Sequence, residues 1–240
     1  MAHFYLNESL IEVTPGGSVQ LTGAEAKHAV TVSRMRVGES LSIGNGQGLV
    51  VTGEITEADA TRLTLRADTV VHTTAPAPRI TLAQALAKGD RDEMAVQAAT
   101  ELGIDRVVPW AAERSISRWD ATKAVKGRAR WESIVREATK QSIRAWLPKV
   151  DDLHSTKKLA GRDERMIVLD PTGQIALTEL ELDDRDVMLV VGPEGGVSNE
   201  ELRVFQEAGA DVVRLGSEVL RTSTAGPAAL AVLNARLGRW

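Results

Sequence analysis

Two short apolar runs, residues 187–191 and 212–215, are each followed by a glycine-containing segment and then by a helical pattern. The first segment spans residues 192–196 and the second spans residues 215–226. Glycine lets a ligand approach the backbone closely, and the first N–H groups of a helix have no partner inside that helix. Two strand-to-helix crossings of this kind within one supersecondary unit predict a binding site for a small polar ligand.

Strands and helices alternate through the whole chain after residue 78. The other predicted strands are residues 79–86, 107–110 and 166–171, and the predicted helices begin near Asp90, Lys123, Ser198 and Thr224. Ser198 and Glu201 have the spacing of a capping box. Such alternation predicts an α/β fold, a parallel sheet with helices on both faces. Because ligands bind at the carboxyl ends of parallel strands, residues 169–171 and the two glycine segments are expected to converge.

The first seventy residues have a different pattern, mostly short runs rich in β-branched residues. Residues 40–44, 49–55 and 62–71 are predicted strands, and one helical stretch covers residues 24–35. Several short strands joined by tight turns favour a small β-barrel. A segment with two prolines, residues 72–78, has the composition of a linker. We therefore predict two domains, residues 1–72 and 73–240.

Composition excludes several classes of site. The chain has no cysteine, so it forms no disulfide, thiolate metal site or cysteine nucleophile, and its four histidines lack the spacing of metal ligands. No metal is therefore predicted. The apolar runs are shorter than the about 20 residues that a membrane span needs, and the N-terminus lacks a signal pattern. The cytoplasm is the expected compartment, without a membrane partner.

Positive charge is concentrated in one segment. Residues 114–149 contain ten Lys or Arg against three acidic residues, a net charge of +7 in a chain whose total is −4. A local basic region of this kind can bind a polyanion in an otherwise acidic protein. The alternative interpretation is a solvated helix face.

The glycine segments do not match the known phosphate-binding motifs. The chain has neither Gly-x-Gly-x-x-Gly after a strand nor Gly-Lys-Ser/Thr. Glu194 lies within the first glycine segment, where its carboxylate disfavours an anion. A neutral or cationic ligand therefore fits better. The alternative is that the glycines only permit tight turns.

The two C-terminal motifs resemble those of a known family. They are Val191-Gly192-Pro193-Glu194-Gly195-Gly196 and Leu215-Gly216-x-x-Val219-Leu220-Arg221-Thr222. Both resemble the SPOUT class of S-adenosyl-L-methionine-dependent methyltransferases. Within that class the chain is similar to the 16S ribosomal RNA uracil-N3 methyltransferases, the RsmE family. Three further segments fit in the same order: His28 to Gly38, Asp92 to Gly103, and Glu137 to Arg144.

The resemblance implies a trefoil-knotted C-terminal domain, an N-terminal PUA-like β-barrel that binds RNA, and a homodimer. The cofactor would be S-adenosyl-L-methionine, whose cationic sulfonium agrees with the loop that carries Glu194. Most of its contacts in this class are made by backbone groups. The residues implied to bind the cofactor are Leu169, Asp170, Pro171, Gly192, Pro193, Glu194, Gly195, Leu215, Gly216, Val219, Leu220 and Thr222.

The chain departs from the family pattern at three positions. Glu218 stands where the family has an arginine, Ser223 stands where it has a glutamate, and Ile143 stands where it has a glycine. These departures concern individual side-chain roles more than cofactor binding.

Uridine N3 carries a weakly acidic proton between two carbonyl groups, so its methylation needs proton removal and stabilisation of negative charge on the ring oxygens. Methylation at carbon 5 usually uses a cysteine, which this chain lacks. We predict Arg221 or Arg144 as the catalytic cation that faces the uracil oxygens. The alternative is that Arg221 pairs with Glu218 or Glu194 and only shapes its loop.

The expected partner is 16S ribosomal RNA in the 30S subunit, held by phosphate contacts. The predicted RNA-binding residues are Arg34, Arg36, Arg114, Arg118, Lys126 and Arg128. Two other functions remain open at this level. One is a catalytically weak RNA-binding or ribosome-assembly factor, and the other is a SPOUT methyltransferase that acts on a ribose 2′-oxygen of another RNA.

Overall fold

The structure, a computed structural model, describes residues 3–240. The chain folds into two compact units. One unit comprises the chain up to Ala75 together with Thr139–Leu147, and the other comprises Pro76–Ala138 and Pro148–Trp240. The predicted boundary at residues 72–73 falls close to the first break. Sequence patterns gave no sign that residues 139–147 belong with the N-terminal unit.

Backbone hydrogen bonds fix residues 139–147 in the first unit. The Leu147 N–H donates to the Gly46 carbonyl over 3.0 Å, and the Gly48 N–H donates to the Ala145 carbonyl over 2.9 Å. The Trp146 indole N–H also donates to the Thr73 carbonyl. These partners are about 70 to 100 residues away along the chain, so no local pattern could reveal them.

The first unit contains a curled five-stranded sheet in the order β1-β3-β4-β5-β2. Its strands are β1 (Phe4–Leu6), β2 (Ser18–Thr22), β3 (Ser40–Gly44), β4 (Leu49–Ala58) and β5 (Arg62–His72). The side-chain amide of Asn7 donates to the Gln20 carbonyl over 2.8 Å and so connects the two edge strands. Alternate residues of the strands, including Leu41, Ile43 and Leu63, point into a buried core.

The predicted helix at residues 24–35 is shorter and less regular than expected. The structure has α1 (Gly23–Lys27) followed by a π-helical turn, His28–Val32, in which Ser33 N–H donates to the His28 carbonyl five residues back. Arg34 then adopts a left-handed backbone with φ +57°. The helical segment thus ends at Val32, three residues before the predicted end.

The second unit is built on a seven-stranded parallel sheet in the order β10-β12-β9-β11-β6-β7-β8. Its strands are β6 (Ile80–Ala85), β7 (Arg106–Trp110), β8 (Lys149–Val150), β9 (Arg165–Leu169), β10 (Ile175–Ala176), β11 (Val187–Val191) and β12 (Asp211–Arg214). Its helices are α2 (Arg91–Glu101), α3 (Ala121–Gln141), α4 (Thr156–Ala160), α5 (Asn199–Glu207) and α6 (Thr222–Arg236). The last three residues of α3 belong to the first unit.

Helices cover both faces of this sheet, as predicted. On one face, Phe205 of α5 and Leu159 of α4 pack in a cluster with Val190 of β11. On the other face, α6 passes so close that a Cβ atom on Gly226 would lie 3.4 Å from Val191, the neighbour of Val190 in β11. Successive strand residues point to opposite faces, and all five residues of β11 are buried.

Ile143 occupies an unfavourable backbone conformation, with φ +55° and a half-exposed side chain. A β-branched residue there has a cost of about 1–2 kcal/mol that glycine avoids. We therefore expect Ile143→Gly to raise the free energy of unfolding by about 0.5–1 kcal/mol, measured by urea denaturation. Ile116→Gly, another exposed isoleucine but without positive φ, is the control and should be destabilising. If Ile143→Gly were less stable than the wild type, the conclusion that the backbone of Ile143 is strained would be wrong.

Candidate active site

Three neighbouring strands end at one edge of the second unit's sheet, and their loops enclose a cavity of about 530 Å3. Leu169 of β9 pairs with Val191 of β11 on one side and Val213 of β12 on the other. The segments that follow these strands therefore lie side by side. All twelve residues implied to bind a cofactor line this cavity, as does Arg221. The predicted convergence is confirmed.

Close packing explains the glycines of residues 192–196. A Cβ atom on Gly192 would lie 3.0 Å from the Val197 side chain, and one on Gly195 would lie 3.1 Å from Arg114. Gly196 has φ +72°, and its N–H donates to the Pro193 carbonyl. The glycines thus do make a tight turn, and the same turn lines the cavity. The two interpretations of this segment are compatible.

The predicted capping box is present at the start of α5. The Ser198 hydroxyl accepts from Glu201 N–H, and the Glu201 carboxylate accepts from Ser198 N–H over 3.1 Å. The other oxygen of this carboxylate accepts from Glu113 N–H over 2.8 Å and from the Thr156 hydroxyl over 2.9 Å. Glu201 therefore connects three segments of the second unit directly after the glycine turn.

Glu194 does not present an unpaired charge. Its carboxylate accepts from Lys88 N–H and from the Arg91 guanidinium, each over 3.0 Å. Burial alone would raise the pKa of Glu194, but these hydrogen bonds and the charge of Arg91 lower it below its ordinary value. The carboxylate holds the glycine turn against the start of α2. Its negative charge is partly offset by Arg91, which weakens the argument that Glu194 alone selects a cation.

Arg221 is exposed at the N-cap position of α6 and borders the cavity. Within residues 3–240 its guanidinium makes no hydrogen bond or ion pair, so neither the Glu218 pair nor the Glu194 pair is formed. Glu218 instead accepts from the Ser217 hydroxyl over 2.9 Å. Arg221 is thus available to a ligand.

Asp170 shapes the turn after β9. Its carboxylate accepts from the Thr172 N–H and hydroxyl, over 2.9 and 2.6 Å, and only 8% of the residue is exposed. A Cβ atom on Gly173 would lie 2.5 Å from the backbone of β12, so glycine is required there. The turn is therefore held rigidly beside β12.

Sequence patterns missed several residues of the cavity wall. Arg91 follows β6, whose carboxyl end adjoins that of β11, so the strand order would have revealed it. The Arg214 guanidinium donates to the carbonyls of Gly173 and Gln174. Val197 was not predicted either, whereas Val191, Gly196, Glu218 and Ala225 lie within the predicted strand and glycine segments but were not assigned to the cofactor. Within residues 3–240, no cluster of His, Asp or Glu side chains could hold a metal ion.

Arg144, the other predicted catalytic cation, lies in the first unit. Its N–H donates to the Thr139 carbonyl over 3.0 Å, one residue after the strained Ile143. Its catalytic role stays a prediction.

The six predicted RNA-binding residues fall into two groups. Arg114 and Arg118 donate to backbone carbonyls, of Gly195 and Glu113 among others, and Arg128 pairs with Asp152 and Glu132. The second group has exposed cationic groups with no hydrogen bond or ion pair in the part of the chain described: Arg34, Arg36 and Lys126. The structure thus leaves the second group more available to phosphate.

Family comparisons agree with the two-part architecture. A family described as an RNA methyltransferase domain matches residues 74–234, and one described as an RNA methyltransferase PUA domain matches residues 21–68. The ribosomal RNA small subunit methyltransferase E of Mycobacterium bovis is 38% identical over 94% of this chain and 89% of its own length. The Bacillus subtilis protein of the same name is 28% identical over 98% of this chain and 96% of its own.

Solved structures give the same result. A ribosomal RNA small subunit methyltransferase E from Neisseria gonorrhoeae, bound to S-adenosylmethionine, has a TM-score of 0.88 and 27% identity, and the match covers 98% of each chain. A Legionella pneumophila protein in complex with the same cofactor has a TM-score of 0.86 and 31% identity, over 98% of this chain and 97% of its own. The predicted SPOUT-type fold with a PUA-like domain is confirmed. With these matches over at least 94% of its length, the chain belongs to the RsmE family of ribosomal RNA small subunit methyltransferases.

Proposed function

We propose that this protein is an S-adenosylmethionine-dependent methyltransferase that methylates N3 of a uridine in 16S ribosomal RNA. The observation that carries this proposal is the cavity at the carboxyl edge of β9, β11 and β12, which unites all the residues implied to bind the cofactor. Two relatives with the same fold are bound to S-adenosylmethionine.

The cavity suits this cofactor in size and chemistry. Its volume of about 530 Å3 lies within the range of about 300–1,000 Å3 typical of small-molecule sites. The two glycine segments offer backbone groups that can hold a polar nucleoside. Asp170 and Glu218 line the wall, and neither has a basic partner among residues 3–240, so a cation is tolerated. When bound, S-adenosylmethionine supplies a methyl group carried on a positively charged sulfur.

The chain's own residues supply the charge stabilisation that the uracil ring needs. Loss of the N3 proton leaves negative charge on the two flanking carbonyl oxygens. The Arg221 guanidinium lies at the edge of the cavity without a partner among residues 3–240, and it can stabilise that charge. The absence of cysteine agrees with a nitrogen rather than carbon 5 as the target.

We further propose that the protein is a cytoplasmic homodimer that acts on the 30S subunit, as its family resemblance implies. No helix within residues 3–240 is long and apolar enough to cross a membrane. Sedimentation of the purified protein would give its oligomeric state, and a monomer at micromolar concentration would contradict the dimer.

The main test combines binding with product analysis. Calorimetry should show that the wild type binds S-adenosylmethionine, and nucleoside mass spectrometry should detect N3-methyluridine after incubation with unmodified 30S subunits. Binding without product on any RNA would favour a non-catalytic assembly factor. A ribose-methylated product on transfer RNA would favour the other SPOUT activity.

Charge reversal at the three cations that have no partner in the described part of the chain should weaken RNA binding. We expect Arg34→Glu, Arg36→Glu and Lys126→Glu, combined, to lower affinity for 16S RNA about tenfold or more and to reduce the salt dependence of binding. Affinity for S-adenosylmethionine should not change. Lys157→Glu, an exposed lysine outside the predicted set, is the control for net charge. An unchanged salt dependence in the triple variant would instead support the solvated-face interpretation.

A further inference from the structure

Gln84 is a fully buried polar residue near the end of β6, beside Val191 of β11. It does not line the cavity. Its side-chain nitrogen donates to the Thr222 hydroxyl over 2.9 Å and to the Ala85 carbonyl over 3.2 Å. The Thr222 hydroxyl in turn donates to the Gly192 carbonyl over 2.7 Å. A chain of hydrogen bonds thus runs from the core of the sheet to the first residue of the glycine turn.

The direction of this chain is unambiguous. The Gly192 carbonyl can only accept, so the single hydroxyl proton of Thr222 points toward it. The Thr222 oxygen must therefore accept from Gln84, which requires the NH2 end of the amide on that side. Without this donor, the hydroxyl would lose the group that fixes its orientation.

The other end of the amide is unsatisfied. The Gln84 side-chain oxygen is buried and has no hydrogen-bond partner within residues 3–240. It lies 3.8 Å from the position that a Cβ atom on Gly226 of α6 would take. An unpaired buried oxygen costs about 1–3 kcal/mol, which an apolar side chain of similar size would avoid. That cost offsets the two hydrogen bonds that the NH2 group donates, so stability alone gives glutamine little advantage at this position.

We propose that Gln84 is a positioning residue for the methyl-donor site. It orients the Thr222 hydroxyl, which holds the Gly192 carbonyl and so sets the path of the turn that lines the cavity. Gly192 has no side chain of its own to restrain its peptide groups. The inference rests on the proposed function, because the group that this turn holds is S-adenosylmethionine.

The test replaces glutamine by methionine, which has similar volume but no donor. We expect Gln84→Met to weaken binding of both S-adenosylmethionine and S-adenosylhomocysteine about five- to tenfold, measured by calorimetry. Its thermal midpoint without ligand should stay close to that of the wild type, because losing the two hydrogen bonds of the amide NH2 group is offset by removing the unpaired oxygen. Gln206→Met, the same change at an exposed position of α5, should leave binding unchanged.

A double-mutant cycle of Gln84 and Thr222 distinguishes loss of the positioning hydrogen bonds from a general loss of structure. Thr222→Val should weaken binding about as much as Gln84→Met, and the double variant should be little weaker than either single variant, because both break one chain. Thr222→Ser keeps the hydroxyl and should recover most of the affinity that Thr222→Val loses. Gln84→Leu also removes the donor, so it should weaken S-adenosylmethionine binding to the same extent and replaces Gln84→Met if that variant does not fold.

Three results would overturn the inference. They are wild-type affinity in both Gln84 variants, additive losses in the double variant, or a thermal midpoint that falls in parallel with affinity. A wild type that binds no S-adenosylmethionine would instead overturn the proposed function, and the inference with it. The two failures are therefore distinguishable.

Discussion

Replacing Arg221 by alanine is expected to lower the turnover number about 100-fold or more, with affinity for S-adenosylmethionine kept within about twofold. Removing one well-placed donor from developing negative charge typically has an effect of this size. The guanidinium has no partner among residues 3–240, so its loss breaks no contact within the described structure. The Arg221 carbonyl still accepts from Thr224 and Ala225 N–H, so α6 should begin normally in the variant.

Turnover would be measured as methyl transfer to unmodified 30S subunits under saturating cofactor. Arg203→Ala, an exposed arginine of α5 that pairs with Glu200, is the matched control and should have wild-type turnover. Arg221→Lys should recover part of the rate, since it keeps the charge without the planar fork. Arg144→Ala tests the second candidate. Full turnover with unchanged cofactor affinity in both alanine variants would show that neither arginine is the catalytic cation.

Replacing Glu201 by alanine is expected to lower the free energy of unfolding by about 3–5 kcal/mol. The residue is only 4% exposed, and its carboxylate accepts from Ser198 N–H, Glu113 N–H and the Thr156 hydroxyl. Alanine would leave these donors without their acceptor, and each unsatisfied buried group costs about 1–3 kcal/mol. The same change should also weaken S-adenosylmethionine binding, because the cap directly follows the glycine turn.

Urea denaturation provides the measurement, and the adjacent Glu200 provides the control. Glu200 is exposed, and its one ion-pair partner among residues 3–240 is Arg203 on the surface of α5, so Glu200→Ala should cost less than about 1 kcal/mol. The destabilisation by Glu201→Gln should lie between those of Glu200→Ala and Glu201→Ala. The amide of glutamine keeps one oxygen acceptor, but its NH2 group would face an N–H or hydroxyl donor that the carboxylate now accepts from. Equal destabilisation by Glu200→Ala and Glu201→Ala would refute the anchoring role.

The charged residues show where sequence reasoning reached its limit. The basic segment at residues 114–149 suggested one polyanion-binding surface, but Arg130 pairs with Glu93, and Arg128 pairs with Asp152 as well as with Glu132. Two of these acidic partners lie outside the segment, so counting charge along the chain overestimated the charge available there. The negative charge that Glu194 offers to a ligand was overestimated in the same way, because its partner Arg91 lies far from it in sequence.

The sequence by itself determined the α/β architecture and the loops that form the cavity. Apolar runs, glycine turns and the Ser198–Glu201 cap are local signals, and local backbone preferences decide them. Only the tertiary structure decided which side chains meet. Gln84 and Thr222 are separated by 138 residues yet share a hydrogen bond, and Thr139–Leu147 joins the N-terminal unit. Such pairings depend on which strands become neighbours, a property that no single segment of the chain encodes.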